Sequence, residues 1–158
     1  MILWRIAADT RRYAADDLSG GGAAAYPGRW NEEQQPVLYT APTIAVAVLE
    51  TAVHLDDHGL PMNRYLVRIE VPDDVWARRE TLDMAALPVT WASIPAGRAS
   101  VKIGVEWLAS MRSAVLLVPS VIVPEESAAL VNTRHPDAQG LRAEIVRRFE
   151  YNRLFRAG

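Results

Sequence analysis

The apolar segments of this chain are short, and prolines, glycines and polar stretches separate them. Two of the longest, at residues 45–49 and 114–118, are far shorter than the roughly 20 apolar residues that a membrane-spanning helix needs. Half of the residues are nevertheless hydrophobic, which is enough to build a buried core. A chain of 158 residues with this pattern predicts one compact domain, residues 1–158, built from many short elements.

Local patterns predict short strands dispersed among short helices. Alternating or Val- and Leu-rich runs indicate strands, and apolar residues spaced three and four apart indicate helices. The predicted strands cover residues 3–6, 37–40, 63–71, 114–118 and 121–123, and the predicted helices run from Pro42 to about His54 and from a cap at Ser100 to about Ser110. Residues 20–25 and 132–140 predict loops, and residues 143–155 fit either a strand or a helix. Because no strand–helix–strand unit repeats, the predicted fold class is α+β.

Cysteine and charge content exclude several classes of function. The chain has no cysteine, which excludes disulfides, Cys-ligated zinc, iron–sulfur clusters and a thiol nucleophile. Its formal net charge is −2, so we expect no direct binding of nucleic acid. We find no signal peptide and expect a cytoplasmic protein without membrane contact. A basic C-terminal group fits either a solvated surface or a docking patch for an acidic partner; its members are Arg142, Arg147, Arg148, Arg153 and Arg156.

Glu50 is the first candidate for chemistry. In the predicted helix it shares a face with Val46, Ala47, Val53 and His54. A carboxylate placed there is partly desolvated, which is costly unless a cation or a ligand uses it. The alternative is that Glu50 lies at the border of the apolar face and points into water. Periodicity alone leaves both interpretations open.

Arg29 and Tyr39 are the next candidates. Arg29 lies between Gly28 and Trp30, where a tight turn and a buried indole can fix a permanently charged guanidinium. Such a group binds phosphate or pyrophosphate well, although a surface arginine beside a structural tryptophan is the alternative. Tyr39 ends a predicted strand, where its ring could stack on a nucleotide ring with the hydroxyl free, or simply pack in the core.

Ser120 and a histidine pair complete the candidates. Ser120 follows a proline at a break between two apolar segments, so its hydroxyl could reach a ligand, but it is not in a G-x-S-x-G setting. His54 and His58 have the spacing of some metal ligands, yet position 55 is Leu where a zinc-protease helix needs Glu, so we expect no metal site. The chain also lacks both glycine-rich phosphate-binding motifs, G-x-G-x-x-G and G-x-x-x-x-G-K-[ST].

Together these signals resemble the RES-domain family, the toxins of bacterial RES–Xre toxin–antitoxin systems. The segments that carry the resemblance are W-R-I at 4–6, G-R-W-N at 28–31, P-V-L-Y-T-A at 36–41, A-V-L-E at 47–50, V-P-S-V-I-V-P at 118–124, V-N at 131–132 and H-P-D at 135–137. The family is named for Arg, Glu and Ser, which here correspond to Arg29, Glu50 and Ser120. One departure is that Thr133 and Arg134 follow Asn132 where the family commonly has Pro and a small residue.

The resemblance implies both a fold and an activity. The fold would be like the catalytic core of ADP-ribosyltransferases, with a split β-sheet around an NAD⁺ cleft. The protein would be a toxin that degrades NAD⁺ by hydrolysis or phosphorolysis, or one that ADP-ribosylates a cellular protein. Its partner would be an antitoxin that resembles Xre-type helix-turn-helix proteins and covers the cleft, and homodimers or larger complexes with the antitoxin are expected.

The resemblance also assigns roles to residues. Glu50 would stabilise the positive charge of an oxocarbenium-like sugar, Arg29 would hold a phosphate, and Tyr39 would pack against the nicotinamide. The expected substrate-binding residues are Ser120, Asn132 and Asn31. NAD⁺ would be the substrate, inorganic phosphate a possible co-substrate, and no metal or other cofactor is expected. The sequence leaves open water, phosphate or protein as the acceptor, and also a non-catalytic module that senses NAD or pairs with an antitoxin.

Overall fold

The computed structural model describes residues 1–55 and 59–155, in which seven strands and four α-helices are joined by loops and short 3₁₀ turns. The strands are β1 (Ile2–Ala8), β2 (Leu38–Thr40), β3 (Arg64–Glu70), β4 (Glu80–Thr81), β5 (Val115–Pro119), β6 (Ser127–Val131) and β7 (Arg142–Arg148). The helices are α1 (Gly21–Ala25), α2 (Ile44–Ala52), α3 (Asp73–Ala77) and α4 (Arg98–Ser110). Among the described residues, none of these helices has the length and apolar character needed to span a membrane.

The strands form two sheets that meet at β1. The first sheet is antiparallel, with β3 between β1 and β7. The second has the order β2-β6-β5-β4, in which only β4 and β5 are parallel. The sheets are joined where the backbone N–H groups of Trp4 and Ala41 each donate to the other residue's carbonyl, both at 2.8 Å. The chain is therefore a single α+β domain with two sheets, which confirms the predicted fold class.

Strand β5 is buried on both faces, which explains its unbroken Val- and Leu-rich sequence. On one face Val115 belongs to a core cluster with Leu3 and Val67 of the first sheet. On the other face Leu116 belongs to a cluster with Trp107 of α4 and Trp91. The second cluster packs α4 against the four-stranded sheet. It also anchors the segment that contains Arg29, because Trp30, the next residue, is a member of the cluster.

The strands predicted at 3–6, 37–40, 63–71 and 114–118 are confirmed as β1, β2, β3 and β5. One helix was predicted as a loop, and the starts of two others are wrong. Residues 21–25 form α1 rather than a loop. Helix α2 begins after Pro42, because the side chain of Thr43 accepts a hydrogen bond from the Val46 N–H at 3.2 Å and caps the first turn. Helix α4 begins at Arg98, and Ser100 lies fully buried inside it rather than capping it.

The prediction of a strand at residues 121–123 is also wrong. After β5 the backbone N–H of Ser120 donates to the Glu126 carbonyl at 2.9 Å, so the chain reverses there and enters β6, which the sequence analysis missed. The ambiguous tail forms β7 followed by a 3₁₀ turn at Tyr151–Leu154. The polar segment 132–140 is largely irregular, as predicted, and contains a 3₁₀ turn at Pro136–Gly140.

Candidate active site

Helix α2 carries Glu50 at the edge of its buried face. Val46 and Ala47 lie four and three residues before Glu50 on the same side, and they are 6% and 4% exposed. Val53 and His54, which the sequence analysis placed on this face, are exposed. Glu50 itself is partly buried, so its carboxylate lies between the core and the solvent rather than in bulk water.

Ser120 holds one oxygen of that carboxylate. Its hydroxyl donates to Glu50 Oε1 at 2.5 Å and accepts from the backbone N–H groups of Ile122 and Val123, both at 3.2 Å. These three bonds use the whole hydrogen-bonding capacity of a serine hydroxyl. Ser120 is also only 1% exposed, so these bonds hold Glu50 in place, and a contact between Ser120 and substrate stays a prediction. Within the described residues, Glu50 Oε2 accepts no hydrogen bond and is left for a ligand.

Arg29 is held by neutral groups. Its Nη1 donates to the carbonyls of Trp91 and Ser93, both at 2.9 Å, while Nε and Nη2 donate to nothing within the described part of the chain. Partial burial lowers the pKa of Arg29, and the charge of Glu50 acts against this shift, as does that of Tyr39. Arg29 and Glu50 are therefore electrostatic neighbours. No ion pair joins the two described side chains, so a gap remains between the charges.

Tyr39 and Asn31 form the support of the Arg29 segment. The Tyr39 hydroxyl donates to Asn31 Oδ1 at 2.7 Å and accepts from the Trp30 N–H at 3.0 Å. It is therefore engaged, and not free as the sequence analysis proposed. Burial raises the pKa of Tyr39 above its ordinary value, and the Trp30 hydrogen bond and the charge of Arg29 act in the opposite direction. A Cβ atom on Gly28 would lie 2.7 Å from Tyr39 Cζ, so the turn passes close over this ring.

Asn31 is the centre of this support. It is 1% exposed, and its Oδ1 also accepts from the Gly28 N–H at 2.9 Å. Its Nδ2 donates to the carbonyls of Ala23, Glu32 and Gln35 at 2.9, 3.1 and 2.9 Å. All of its polar atoms are occupied, so binding a substrate would require it to give up one of these bonds. These bonds fix Tyr39 and the neighbouring backbone, and a contact between Asn31 and substrate, like that of Ser120, stays a prediction.

Asn132 lies away from this group. It is 1% exposed at the end of β6, where its Nδ2 donates to the Leu108 carbonyl at 3.1 Å and contacts Met111 Sδ at 3.4 Å. Its Oδ1 accepts from the Arg134 N–H at 3.2 Å. These bonds close the C-terminal end of α4. None of them joins Asn132 to Glu50 or Arg29 among the described residues, and a contact between Asn132 and substrate stays a prediction.

The structure thus brings together most of the residues selected from the sequence. Hydrogen bonds join Glu50 to Ser120 and Tyr39 to Asn31, and the charge of Glu50 acts on Arg29. The sequence analysis missed the carbonyl acceptors of the Arg29 guanidinium, because any residue type can supply a carbonyl. It also missed Gly104 of α4, at which an added Cβ would lie 1.7 Å from the Trp30 carbonyl oxygen. A lone glycine inside a helical pattern was the available signal.

A concave region lies beside the C-terminal end of α2. It is a cavity of about 490 Å³, lined by Thr51, His54, Arg64, Tyr151 and neighbouring apolar residues, and it includes neither Arg29 nor Glu50. His54 is exposed, and His58, its partner in the considered metal spacing, lies outside the described residues. Within the described residues, no cluster of three or more His, Cys, Asp or Glu side chains is arranged to hold a metal ion.

One protein family is similar to this sequence along almost its whole length. The family model described as RES domain matches residues 2–153. A relative from Sphingobium sp. (strain YBL2), named Prs ADP-ribosylating toxin, is 55% identical over 149 residues, which cover 94% of this chain and 92% of the relative.

Two further relatives carry the name Toxin Res. The one from Yersinia enterocolitica is 40% identical over 139 residues, covering 88% of this chain and 88% of the relative. The one from Pseudomonas putida is 37% identical over 157 residues, covering 98% of this chain and 100% of the relative. The similarity therefore extends across the entire length of one relative, and the span of the family model contains the positions of all the candidate residues discussed above.

Proposed function

The chain belongs to the RES-domain family, and on this premise we propose that it is a toxin that cleaves the nicotinamide–ribose bond of NAD⁺. One observation carries the proposal. Glu50 and Arg29 are each held by uncharged groups and form no ion pair with each other, although the charge of Glu50 acts on Arg29. This arrangement suits the nicotinamide half of NAD⁺, in which the ribose lies between an anionic pyrophosphate and a cationic nicotinamide. In this proposal the two sheets are a form of the ADP-ribosyltransferase core.

The proposed reaction needs a carboxylate and no metal. The bond between the ribose C1′ and the nicotinamide nitrogen breaks, and its electron pair leaves with the nicotinamide, which becomes neutral. Positive charge develops on the sugar, and a fixed carboxylate lowers the energy of that state. The free Oε2 of Glu50 is suited to this task and to accepting a ribose hydroxyl. An acceptor oxygen then bonds to C1′, and its proton passes to solvent.

Arg29 binds the pyrophosphate and Tyr39 the nicotinamide in this proposal. The Nε and Nη2 groups of Arg29 have no partner in the described part of the chain, and a guanidinium edge matches the oxygens of a pyrophosphate. The partly exposed ring of Tyr39 offers an aromatic face to the positively charged nicotinamide. Ser120 fixes the position of Glu50, and Asn31 fixes the position of Tyr39.

The names of the relatives support a toxin–antitoxin context. Proteins named Toxin Res match nearly the whole chain. We therefore propose that a separate antitoxin restrains this protein in the cytoplasm, that the antitoxin is an Xre-type helix-turn-helix protein, and that homodimers or larger complexes form with it. Co-expression with an Xre-type helix-turn-helix antitoxin should relieve toxicity, and toxicity that persists unchanged with every such candidate would contradict this part of the proposal.

The direct test is to identify the products. Purified protein is mixed with NAD⁺, with and without inorganic phosphate, and the products are identified by mass. We expect nicotinamide together with ADP-ribose when water is the acceptor, or with a phosphorylated ADP-ribose when phosphate is the acceptor. NAD⁺ that stays intact under both conditions and in the presence of cell extract would contradict the proposal.

ADP-ribosyl transfer to a protein is the second candidate, and one observation favours it. The relative that is 55% identical over 149 residues is named Prs ADP-ribosylating toxin. The bond that breaks is the same, and only the acceptor differs. Incubation of cell extract with NAD⁺ labelled in its ADP-ribose part separates the two activities: label on a protein band indicates transfer, and label only in small molecules indicates breakdown of NAD⁺.

A further inference from the structure

Arg29 donates hydrogen bonds to two backbone carbonyls and forms no ion pair with Glu50. A guanidinium near a carboxylate commonly forms an ion pair, yet the Nη1 of Arg29 donates both of its hydrogens to the carbonyls of Trp91 and Ser93. Glu50 is near enough for its charge to act on Arg29. Two neutral acceptors in a backbone turn thus hold a cation that has an anion close by.

The turn that supplies these carbonyls is itself firmly held. Its centre is the 3₁₀ turn Val89–Ala92, which the Trp91 N–H closes by donating to the Pro88 carbonyl at 2.9 Å. The Ser93 hydroxyl adds a bond to the Thr90 carbonyl at 2.8 Å. The side chain of Trp91 is 7% exposed and stacks on Trp30, with ring centroids 6.2 Å apart and planes 26° apart. Both carbonyls therefore have fixed positions before any substrate arrives.

The segment that carries Arg29 is fixed from the other side. Trp30 follows Arg29 directly, and its carbonyl lies against Gly104 of α4 so closely that no side chain could be inserted there. The Trp30 N–H donates to the Tyr39 hydroxyl, which Asn31 holds in turn. The backbone of Arg29 and its two acceptors are thus both anchored in the cluster that includes Trp30 and Trp91.

We propose that residues 88–93 form a carbonyl clamp that keeps Arg29 from pairing with Glu50, so that both charges stay available to a pyrophosphate-containing substrate. The claim that the two charges serve a substrate rests on the proposed function. The clamp itself is a property of the protein without substrate. An Arg29–Glu50 ion pair would occupy both groups, and substrate would have to break it before binding. Holding the two charges apart in advance avoids that cost.

The clamp is tested first without substrate. In ¹⁵N-arginine NMR spectra, rotation of the Arg29 guanidinium should be slow in the wild-type protein, with the signal assigned by its loss in Arg29→Lys. Trp91→Leu removes the stacking, and Ser93→Ala removes the Thr90 bond at the turn surface with little risk to folding. Both substitutions should speed the rotation of the Arg29 guanidinium. We expect an increase of about tenfold in Trp91→Leu, because the loss of one hydrogen bond corresponds to about this factor. Val89→Ala changes the most exposed side chain of the same turn and is the matched control, with no effect expected.

The second measurement asks whether the clamp serves the reaction. Trp91→Leu and Ser93→Ala should raise KM for NAD⁺ more than they lower kcat, because a competing ion pair forms in the free protein. Trp91→Phe keeps an aromatic ring and should restore both the slow rotation and KM. In an Arg29→Ala background the turn substitutions should have almost no further effect on KM.

The outcomes separate the two claims. Guanidinium rotation that is fast in the wild-type protein, or unchanged in both turn variants, overturns the clamp whatever the enzyme does. Slow rotation in a wild-type protein that does not consume NAD⁺ overturns the proposed function and leaves the clamp. Turn substitutions that act equally with and without the Arg29 side chain overturn the claim that the turn works through Arg29.

Discussion

The two oxygens of Glu50 have different surroundings, and this difference defines what the residue can do. Oε1 is held by the buried hydroxyl of Ser120, while Oε2 has no partner among the described residues. A carboxylate fixed at one oxygen cannot turn away when charge develops near the other. Preorganised groups of this kind stabilise a transition state without reorganising during the reaction.

Removing the Ser120 hydroxyl should therefore reduce both stability and activity. In Ser120→Ala the N–H groups of Ile122 and Val123 lose their acceptor and Glu50 loses its support. We expect a loss of about 1–3 kcal/mol in the free energy of unfolding and a lower kcat, measured by urea unfolding and by nicotinamide release. Ser127→Ala is the control, because the Ser127 side chain makes no hydrogen bond within the described residues. Wild-type values in Ser120→Ala would refute the assigned role.

Tyr39 gives a prediction about alkaline stability. Its pKa is raised in the folded protein, so the unfolded chain loses the phenol proton at a lower pH than the folded chain does. The stability that Tyr39 contributes is complete below the ordinary pKa of about 10 and is lost as pH rises beyond it. Tyr39→Phe should thus be less stable than wild type near neutral pH, and the difference should shrink above about pH 10. Urea midpoints measured across this range check the slope, with the exposed Tyr26→Phe as control; parallel curves for wild type and Tyr39→Phe would contradict it.

At this scale the sequence selected residues that the structure joins by hydrogen bonds, but it did not predict which partners they would have. Arg29, Tyr39, Glu50 and Ser120 could be selected from local patterns and from resemblance to a family. The support role of Ser120 could not, because its partner Glu50 is 70 positions away along the chain. The occupied amide of Asn31 was missed although its partners lie within eight positions of it, because no local pattern predicts the loop conformation that brings them together.

Strands and helices were predicted correctly where local sequence signals are strong. They were missed where a contact with a distant part of the chain determines the local structure. The Val- and Leu-rich β5 was found, and Val-Ile-Val at 121–123 was mistaken for its continuation because these residues favour strands. The Ser120 N–H and hydroxyl instead bend the chain back into β6. Ser100 was taken for a helix cap because serine is common there, yet it is fully buried and its hydroxyl donates to the Gly97 carbonyl at 3.4 Å.

The contact between α4 and the segment that contains Arg29 requires a glycine at position 104. Gly104→Ala would place a Cβ atom 1.7 Å from the Trp30 carbonyl oxygen, so the helix or the segment must move. We expect the free energy of unfolding to fall by about 1–3 kcal/mol, although alanine favours helices by about 1 kcal/mol over glycine. The melting temperature should fall by several degrees, and KM for NAD⁺ should rise as Arg29 is displaced.

Gly22→Ala is the matched control for this contact. Gly22 lies in α1, and an added Cβ there would meet no atom within 4 Å. It should leave the melting temperature unchanged or raise it slightly. Equal melting temperatures for Gly104→Ala and the wild-type protein would show that the helix and the segment are not packed as described.

At the scale of the whole molecule, β1 connects both sheets. It pairs with β3 along seven residues and meets the second sheet through the two reciprocal Trp4–Ala41 hydrogen bonds. Core residues from both sheets, including Leu3 and Val115, belong to one cluster. Neither sheet is therefore expected to keep its packing when the other unfolds.

This arrangement predicts one cooperative unfolding transition. Urea curves followed by far-ultraviolet circular dichroism and by tryptophan fluorescence should coincide, because Trp30, Trp91 and Trp107 lie in the cluster beneath the second sheet. Trp4→Ala keeps these backbone hydrogen bonds but removes the ring that packs against Ala41, Val46 and Ala47, and it should shift both curves together. Two separated transitions in the wild-type protein would contradict a single domain over residues 1–158.

The central claim is that one fixed carboxylate drives the loss of nicotinamide from NAD⁺. The measurement that tests it is the rate of nicotinamide release by the wild-type protein, by Glu50→Gln and by Glu33→Gln, which alters an exposed glutamate outside the site. The first change keeps the shape of the side chain and removes its charge, so we expect kcat to fall by about 10²–10³ while the unfolding curve stays near that of the wild type. Glu33→Gln should match the wild type. Nicotinamide release by Glu50→Gln at the wild-type rate, or none by the wild-type protein, would contradict the account.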